Sequence, residues 1–340
     1  MPRVYIILVN WNGWQDTIEC LESVFRLDYP DYRVIVCDNA STDGSAEQIK
    51  SWANGQLDVH AANPKLETST KPTVPRPIPF LETSAHERAT LPEDQAARLI
   101  LIHTGSNLGF AGGNNIGLRY ALSIGDLQFA WLLNNDTIAT PDALSELVRR
   151  MNERPEAGLC GSTLLDYWYP NRVQALGGSI YRKWTARSGH IGRGSSQHDL
   201  PHPEAVEQKM KYVIGASTLV RKSFLEDVGL MNESYFLYFE EIDWATRAAG
   251  MYSLAYAPRS VVYHKEGASA GTTFERRSRS YTSDYYSSRG RMLFTRKYFP
   301  MAIPTVLSTL LASSLFRLST GNKSGAKAVL VGLLNALRRM

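Results

Sequence analysis

An apolar run of strand length ends in two amides and one carboxylate near the middle of this 340-residue sequence. The run covers residues 129–133, and Asn134, Asn135 and Asp136 follow it directly. In an open α/β sheet, the carboxyl ends of the strands border the ligand crevice. A carboxylate there can hold a hard cation through oxygen, and the cation can hold a phosphate. Asp136 also suits a cap of the following turn, so this motif alone leaves both roles open.

Three further segments place polar groups after apolar, strand-like runs. Asn10 and Asn12 follow the first run, and Asp38 and Asn39 follow the second. The third segment, residues 105–115, is rich in Gly and Asn and is predicted to be a loop whose glycines let the backbone approach a ligand. The need to cap turns does not by itself readily explain polar groups at four strand ends along one edge of a sheet. We therefore expect a ligand site there, with Asp38 accepting hydrogen bonds from a base or a ribose.

A cluster of acidic and aromatic residues lies farther along the chain. Residues 235–244 combine aromatic side chains with Glu240, Glu241 and Asp243. Burial and like charge both oppose ionisation of adjacent carboxyl groups. A raised pKa is what a general base near neutral pH requires. The alternative is a helix N-terminus with an acidic first turn, and both interpretations can hold together.

His264 ends another apolar run and precedes Lys265 and Gly267. A lone histidine is more often structural than a ligand. At a strand end, however, His264 could join Asp136 on a cation. A mixed histidine and carboxylate set suits Mn²⁺ or Mg²⁺ bound mainly through phosphate oxygens.

These candidates depend on a sheet that brings the strand ends together. Strands are predicted at 4–9, 33–37, 98–102 and 129–133, and helices at 16–26, 45–52, 116–123 and 141–153. This alternation predicts an α/β fold with a mostly parallel, doubly wound central sheet and helices on both faces. The Pro-rich residues 60–95 are interpreted as a surface insertion within a main domain of residues 1–270. Residues 271–340 are predicted to form a basic, aromatic and apolar helical extension.

Composition excludes several classes of function. The net charge of +4 is too small and too dispersed to indicate nucleic-acid binding. No dinucleotide fingerprint follows the first strand, and no P-loop motif occurs. Cys20, Cys37 and Cys160 are too far apart for a metal-type spacing and favour a reducing compartment. The N-terminus leads directly into a strand, so we expect a cytoplasmic protein without a secretory signal.

The C-terminal extension contains one long apolar segment, Met301–Phe316. As a helix it would be about 24 Å long, which is shorter than the roughly 30 Å hydrocarbon core of a bilayer. Basic residues surround it. The sequence leaves two alternatives open, a helix on the inner membrane surface and a helix that packs within the protein.

Six short motifs connect the candidates to a known family. They are VNWNG at 9–13, DNASTDG at 38–44, NLGFAGGNN at 107–115, LNND at 133–136, FEEIDW at 239–244 and YHKEG at 263–267. The order and spacing of these motifs resemble those of family 2 glycosyltransferases with the GT-A fold, especially bacterial rhamnosyltransferase-like members. The resemblance extends from Val4 to about Ser269, and it implies a GT-A catalytic domain over residues 1–270.

The resemblance also implies roles for individual residues. Asp136 and His264 would bind Mn²⁺ or Mg²⁺, with Asn134 where relatives can have the first Asp of the Asp-x-Asp motif. Glu241 would be the general base, and Glu240 is the second candidate. The donor, a nucleotide-diphosphate sugar, would contact Asn10, Asn12, Asp38, Asn39, Asp43, Asn107, Gly109, Phe110, Asn114 and Asn135. The acceptor would contact Gly215, Asp243 and Trp244.

The implied reaction is a single displacement with inversion at the anomeric carbon. The resemblance favours dTDP-rhamnose over UDP-hexoses as the donor but leaves both open, and the expected acceptor is a cell-envelope glycan or a lipid-linked saccharide. Two alternatives remain, a nucleotidyltransferase that acts on sugar phosphates and a non-catalytic protein that binds nucleotide sugars. The sequence leaves the oligomeric state open.

Overall fold

The first half of the chain alternates strands and helices. The computed structural model describes residues 1–87, 97–266 and 280–338. The elements up to the middle of the chain are β1 (Val4–Asn10), α1 (Trp14–Val24), β2 (Tyr32–Asp38), α2 (Ser45–Ala53), β3 (Phe80–Ser84), β4 (Leu99–His103), α3 (Gly109–Ile124), β5 (Phe129–Leu133), β6 (Thr137–Ala139) and α4 (Ala143–Glu153). The strands β1, β2 and β5 are continuous apolar runs, as expected for parallel strands covered on both faces.

The second half adds more antiparallel strands and a group of three C-terminal helices. Its first elements are β7 (Ala157–Asp166), β8 (Val173–Leu176), β9 (Gly178–Arg182), β10 (Arg187–His190), α5 (Pro203–Glu207), β11 (Tyr212–Val213), β12 (Ser217–Arg221), α6 (Lys222–Val228), α7 (Glu240–Arg247) and β13 (Ser253–His264). The C-terminal helices are α8 (Tyr281–Tyr298), α9 (Ile303–Ser319) and α10 (Lys323–Arg338).

One ten-stranded sheet forms the centre of the molecule. Its order is β3-β4-β2-β1-β5-β12-β7-β13-β6, and β8 pairs with β7. The strands from β3 to β5 are parallel to one another, while β12 is antiparallel between β5 and β7. Trp52 and Trp131 belong to the core on one face, and Tyr5 and Ile7 belong to the core on the other. The predicted mostly parallel sheet with helices on both faces is therefore confirmed.

The Gly- and Asn-rich segment differs from its prediction. It forms a loop only up to residue 108, because α3 begins at Gly109 rather than at residue 116. Gly109 has a φ of +70°, and a Cβ there would lie 2.3 Å from the carbonyl oxygen of Phe236. A Cβ on Gly113 would lie 2.7 Å from Val9. Gly113 therefore serves close packing of α3 on the sheet rather than the approach of a ligand.

The Pro-rich insertion contains more structure than its composition indicates. Within residues 60–87, β3 adds a parallel edge strand to β4, and a 3₁₀ turn forms at Pro64–Ser69. Glu22 accepts hydrogen bonds from Trp52 Nε1 at 2.8 Å and from the Val74 amide at 3.0 Å. This carboxylate fixes the insertion to α1 and α2. Residues 88–95 of the predicted insertion lie outside the described residues.

The C-terminal helices pack against one another and against the main domain. Phe294 of α8 packs with Tyr235 and Ile242. On the inner faces of α9 and α10, Val306 packs in one cluster with Val329. The predicted boundary at residue 270 lies within 267–279, outside the described residues, and stays a prediction.

Candidate functional site

A cleft of about 1560 Å³ opens at the carboxyl ends of the strands. The ends of β1, β2, β5 and β13 contribute Val9, Asn39, Asp136 and His264 to its lining. The predicted convergence of polar strand ends is thus a feature of the structure. The opposite wall comes from α8, α9 and α10, which the sequence interpretation treated as an extension.

Asp136 and His264 meet at the base of the cleft. Strand β13 pairs with β6 so that His264 lies opposite Thr137, and His264 Nε2 lies 3.2 Å from Asp136 Oδ1. On the other side of the ring, His264 Nδ1 lies 2.7 Å from Gln174 Oε1. Since Gln174 offers an acceptor, Nδ1 carries the proton and donates it, and Nε2 is directed towards Asp136.

This pair fits a divalent cation that is held mainly by a substrate. Burial lowers the pKa of His264, but the charge and hydrogen bond of Asp136, together with the charges of Glu266 and Asp166, outweigh it and the net pKa is raised. An oxygen ligand and a correctly oriented imidazole nitrogen are a suitable donor set for Mn²⁺. Within residues 1–87, 97–266 and 280–338, no cluster of three or more His, Cys, Asp or Glu side chains could hold a metal ion. A cation here would therefore need further ligands from a phosphate.

An ion-paired lysine fixes the end of β13 beside His264. Lys265 Nζ donates to Asp16 Oδ1 at 2.6 Å and to Glu19 Oε2 at 2.5 Å. Tyr167 donates from its hydroxyl to Glu19. Burial opposes the charge on Lys265, but Glu19 and Asp16 outweigh it and the pKa of the lysine is raised. The sequence interpretation noted Lys265 but did not identify its partners on α1.

Glu240 and Glu241 begin α7 after a strained segment. The residues before them, Phe236, Tyr238 and Phe239, have φ angles of +65°, +66° and +74°. Such left-handed conformations are rare for aromatic residues and occur mainly at functional sites. They turn the chain so that both glutamates line the cleft.

The two glutamates have different pKa values because their surroundings differ. Burial raises the pKa of Glu241, and this effect is partly offset by hydrogen bonds from its own amide and that of Gly215. Burial and the charge of Glu241 raise the pKa of Glu240 well above its ordinary value. Glu240 is also buried, with its Oε2 unpartnered in the described part of the chain. Of the two carboxyl groups, Glu241 thus ionises more readily and is the one available to accept a proton.

Gly215 positions Glu241. Its amide donates to Glu241 Oε1 at 3.3 Å. A Cβ at residue 215 would lie 2.8 Å from that oxygen and 2.9 Å from the Phe110 ring. A side chain at residue 215 would displace the Glu241 carboxylate from this position. Gly215 itself lines the cleft, where the resemblance implied an acceptor contact.

Asp243 and Trp244 do not reach the cleft. Trp244 is buried in the core and donates from Nε1 to the carbonyl of Gly229 at 2.8 Å. Asp243 accepts from Lys297 Nζ at 2.9 Å and from the Tyr298 hydroxyl at 2.8 Å. Both side chains therefore have structural partners, and neither lines the cleft.

The predicted donor residues fall into two groups. Those that line the cleft are Asn39, Asn107, Gly109, Phe110 and Asn135. The others, which bond to residues of their own or a neighbouring segment, are Asn10, Asn12, Asp38, Asp43 and Asn114.

The bonds of the second group shape the strand ends. Asp38 accepts from Asn10 Nδ2 at 2.7 Å and from the Ser41 hydroxyl at 2.6 Å. Asn12 Oδ1 accepts from the Thr42 amide at 2.7 Å. These bonds join the loops after β1 and β2 into one rim beside the cleft.

Three of the four tyrosines of α8 are cleft residues that the sequence interpretation missed. Tyr281, Tyr285 and Tyr286 line the cleft, and Tyr286 stacks on Phe236 with ring centroids 4.6 Å apart. Asn335 of α10 donates to the Tyr285 hydroxyl at 2.9 Å. The aromatic character of residues 281–298 was the available signal, but only the fold shows that it faces the site.

Sequence comparison identifies related proteins. The sequence model of the family described as Glycosyl transferase family 2 matches residues 5–63 and 86–229. The low-salt glycan biosynthesis hexosyltransferase Agl10 of Haloferax volcanii is 28% identical over 148 residues, which are 43% of this chain and 45% of that protein. The N-acetylglucosaminyl-diphospho-decaprenol L-rhamnosyltransferase of Mycobacterium tuberculosis is 26% identical over 194 residues, which are 50% of this chain and 60% of that protein. The chain thus spans about half the length of these curated relatives.

Solved structures share the architecture at low sequence identity. A mannosyltransferase from Pyrobaculum calidifontis, PcManGT, crystallised with GDP-Man and Mn²⁺, is 15% identical with a TM-score of 0.53, covering 98% of this chain and 87% of that chain. Residues 1–349 of S. aureus TarS are 11% identical with a TM-score of 0.53, covering 98% and 79% of the two chains. These likenesses concern the fold, and they confirm the predicted GT-A architecture.

Proposed function

Because this chain belongs to glycosyl transferase family 2, we propose that it is an inverting glycosyltransferase. It would move a sugar from a nucleotide-diphosphate sugar to a hydroxyl of a cell-envelope glycan or a lipid-linked saccharide. One observation carries this proposal. Glu241, a carboxylate with a raised pKa, lines the same cleft as the Asp136–His264 pair.

We propose that Asp136 and His264 hold Mn²⁺ or Mg²⁺ beside the donor diphosphate. Such a cation neutralises the charge that develops on a leaving diphosphate. The nucleotide would lie along the part of the cleft lined by Asn39, Asn107 and Asn135. The rhamnosyltransferase among the relatives supports dTDP-rhamnose as the first donor to test.

Glu241 would act as the general base. It takes the proton of the acceptor hydroxyl while that oxygen bonds to the anomeric carbon and the bond from this carbon to the diphosphate breaks. The new bond forms on the face opposite the leaving group, so the configuration inverts. Glu240, whose pKa is raised further, would remain protonated beside it.

We propose that the tyrosines of α8 replace Asp243 and Trp244 as acceptor contacts. Tyr286 and Phe236 form a stacked pair beside the segment that leads to Glu241. Tyrosine combines an apolar ring face with a hydroxyl that can donate and accept. Both properties suit a saccharide, which presents apolar C–H groups and hydroxyls together.

The test is a product assay with a panel of nucleotide sugars, a lipid-linked saccharide acceptor and Mn²⁺. Release of a nucleoside diphosphate that requires both acceptor and metal is the expected result. Release of pyrophosphate would instead identify a nucleotidyltransferase. Tight nucleotide-sugar binding without any release would identify a non-catalytic binding protein. Removal of metal by a chelator should abolish the release and weaken nucleotide binding.

We further propose that the protein works in the cytoplasm, where nucleotide sugars and reduced thiols coexist. Cys20, Cys37 and Cys160 are all free and buried.

A further inference from the structure

The outer face of α9 and α10 is apolar and exposed. Of the fourteen large apolar side chains that are exposed in the described residues, seven lie between residues 301 and 334. Leu315 is 66% exposed and Phe316 is 68% exposed. The seven, which we call the outer patch, are Met301, Leu311, Leu315, Phe316, Leu318, Leu330 and Leu334.

The helices that carry the outer patch are anchored on their inner side. Val306 and Leu310 of α9 are buried in one cluster with Val329 and Leu333 of α10. Arg317 also pairs with Asp284 of α8 through two bonds of 2.9 and 2.6 Å. The helix pair is therefore fixed to the protein, and its outer patch is left for a partner.

The segment with this patch has the hydropathy of a membrane helix without the burial of a core helix. Among the described helices, Pro300–Ser319 alone is long and apolar enough to cross a membrane, with a mean hydropathy of 1.4 and 22% of its most apolar window buried. Spanning would require α9 to leave its anchors on α8 and α10. Contact with a lipid surface leaves those anchors intact.

The charge of this region identifies the kind of surface. Residues 300–338 contain no Asp or Glu, so every charged side chain there is basic. On α10, the exposed side chains Lys323, Lys327, Leu330, Leu334 and Arg338 are spaced by three or four residues and share one face. A basic and apolar face is the pattern that binds anionic lipid headgroups and inserts into the acyl boundary.

We propose that the outer patch docks on a bilayer that contains anionic lipid, with α9 and α10 lying along its surface. The same two helices contribute Ser313, Arg317, Val329 and Asn335 to the cleft lining. The cleft thus lies directly behind the docking face, and a substrate anchored in lipid would be presented beside it. The docking itself does not depend on the proposed reaction.

Sedimentation with vesicles tests the docking without any enzyme assay. The full chain is mixed with vesicles of phosphatidylcholine alone, or of phosphatidylcholine with phosphatidylglycerol, whose anionic headgroups attract basic surfaces. We expect binding to the anionic vesicles that weakens in high salt. Leu315→Glu/Phe316→Glu and Lys323→Glu/Lys327→Glu should each weaken it about tenfold or more.

Two controls introduce glutamate elsewhere, and the double-lysine control carries the same change of charge as Lys323→Glu/Lys327→Glu. Met251→Glu alters an apolar side chain that is 54% exposed outside the patch, and Lys65→Glu/Lys222→Glu reverses two distant exposed or partly exposed charges. Both should bind vesicles like the unmodified chain. Circular dichroism and thermal melting verify the fold of every variant. Leu330→Ser/Leu334→Ser replaces Leu315→Glu/Phe316→Glu if that variant unfolds.

Several outcomes would overturn the proposal. One is an absence of vesicle binding, and another is an equal loss of vesicle binding in the control variants. A third is self-association of the chain that the patch variants abolish, together with an absence of vesicle binding. The last result, seen by light scattering, would show that a second copy covers the patch. Failure of the glycosyltransferase assay would leave the vesicle result unaffected, so the two proposals fail separately.

Discussion

At the scale of single residues, the chemistry that we propose for the site depends on two adjacent carboxyl groups in different environments. Glu241 reaches the cleft over Gly215, while Glu240 is buried beside it. Pairs of titratable groups whose pKa values are separated by their surroundings commonly divide acid and base roles. Here the separation follows from burial and from the charge of one glutamate on the other.

Burial of Glu240 also has a consequence for stability. Its pKa is raised in the folded protein, so the folded state holds a proton that the unfolded chain releases above its ordinary pKa near 4.5. Stability should therefore fall as the pH rises from that value towards the folded pKa. Glu240→Gln removes the ionisable group and should raise the melting temperature at pH 8 by about 2 °C or more.

A pair of thermal melts at pH 4.5 and pH 8 measures this effect. The variant should gain stability relative to the unmodified chain at pH 8 and gain little at pH 4.5. Equal differences at both pH values would contradict the assignment of a raised pKa to Glu240.

The sequence motifs were sufficient to locate some site residues but not others. Asp136, His264 and Glu241 end or begin elements with clear apolar patterns, and all three line the cleft. Asp243 and Trp244 belong to the same motif as Glu241. On a helix, Asp243 points about 200° around the axis from Glu241, and Trp244, which is only about 60° away, is held in the core by its apolar neighbours. Membership of one motif therefore does not place a side chain in the cleft.

At the scale of elements, α7 links the site to the C-terminal helices through Asp243. Burial raises the pKa of this carboxyl, but bonds from Lys297, Tyr298 and Arg247 outweigh it and the net pKa is lowered. Its stabilising contribution is thus present above the unfolded pKa and is lost as the pH falls through the folded pKa.

Asp243→Ala should lower the free energy of unfolding by about 2–3 kcal/mol, because it leaves charged and hydroxyl partners without an acceptor. Urea denaturation at pH 7 measures the loss. Asp199, an exposed aspartate in a loop, provides the matched control, and Asp199→Ala should change stability by less than about 0.5 kcal/mol. Similar losses in the two variants would contradict the structural role of Asp243.

Element boundaries show why glycine-rich sequence is difficult to interpret. The strands β1, β2, β4 and β5 follow from apolar runs because burial on both faces requires them. The start of α3 could not be predicted in the same way. Gly113 avoids a clash with Val9, and that clash exists only after the helix is packed on the sheet.

At the scale of the whole molecule, the cleft is a joint product of the GT-A sheet and the C-terminal helices. Phe236 and Tyr286 are 50 positions apart in the sequence, yet their rings stack. Local patterns carry no information on such a pairing. The sequence therefore predicted the sheet edge of the site and missed its opposite wall.

The proposal that α8 contacts the acceptor can be tested through substrate binding. Tyr286→Ala should raise the acceptor KM about tenfold, since an aromatic contact of this kind contributes about 1 kcal/mol or more. The donor affinity should stay within about threefold. Tyr169→Ala, which removes a tyrosine that is exposed away from the cleft, is the control. An unchanged acceptor KM in Tyr286→Ala would remove α8 from the acceptor site.

The turnover of Glu241→Gln tests most directly whether Glu241 is the proton acceptor. The rate of nucleoside diphosphate release should fall about 10²–10⁴-fold, the usual value of general-base catalysis. Donor affinity, measured by calorimetry with Mn²⁺, should remain within about threefold. Glu226→Gln, a conservative change of a glutamate on α6, should keep full turnover. Near-normal turnover of Glu241→Gln would contradict the account.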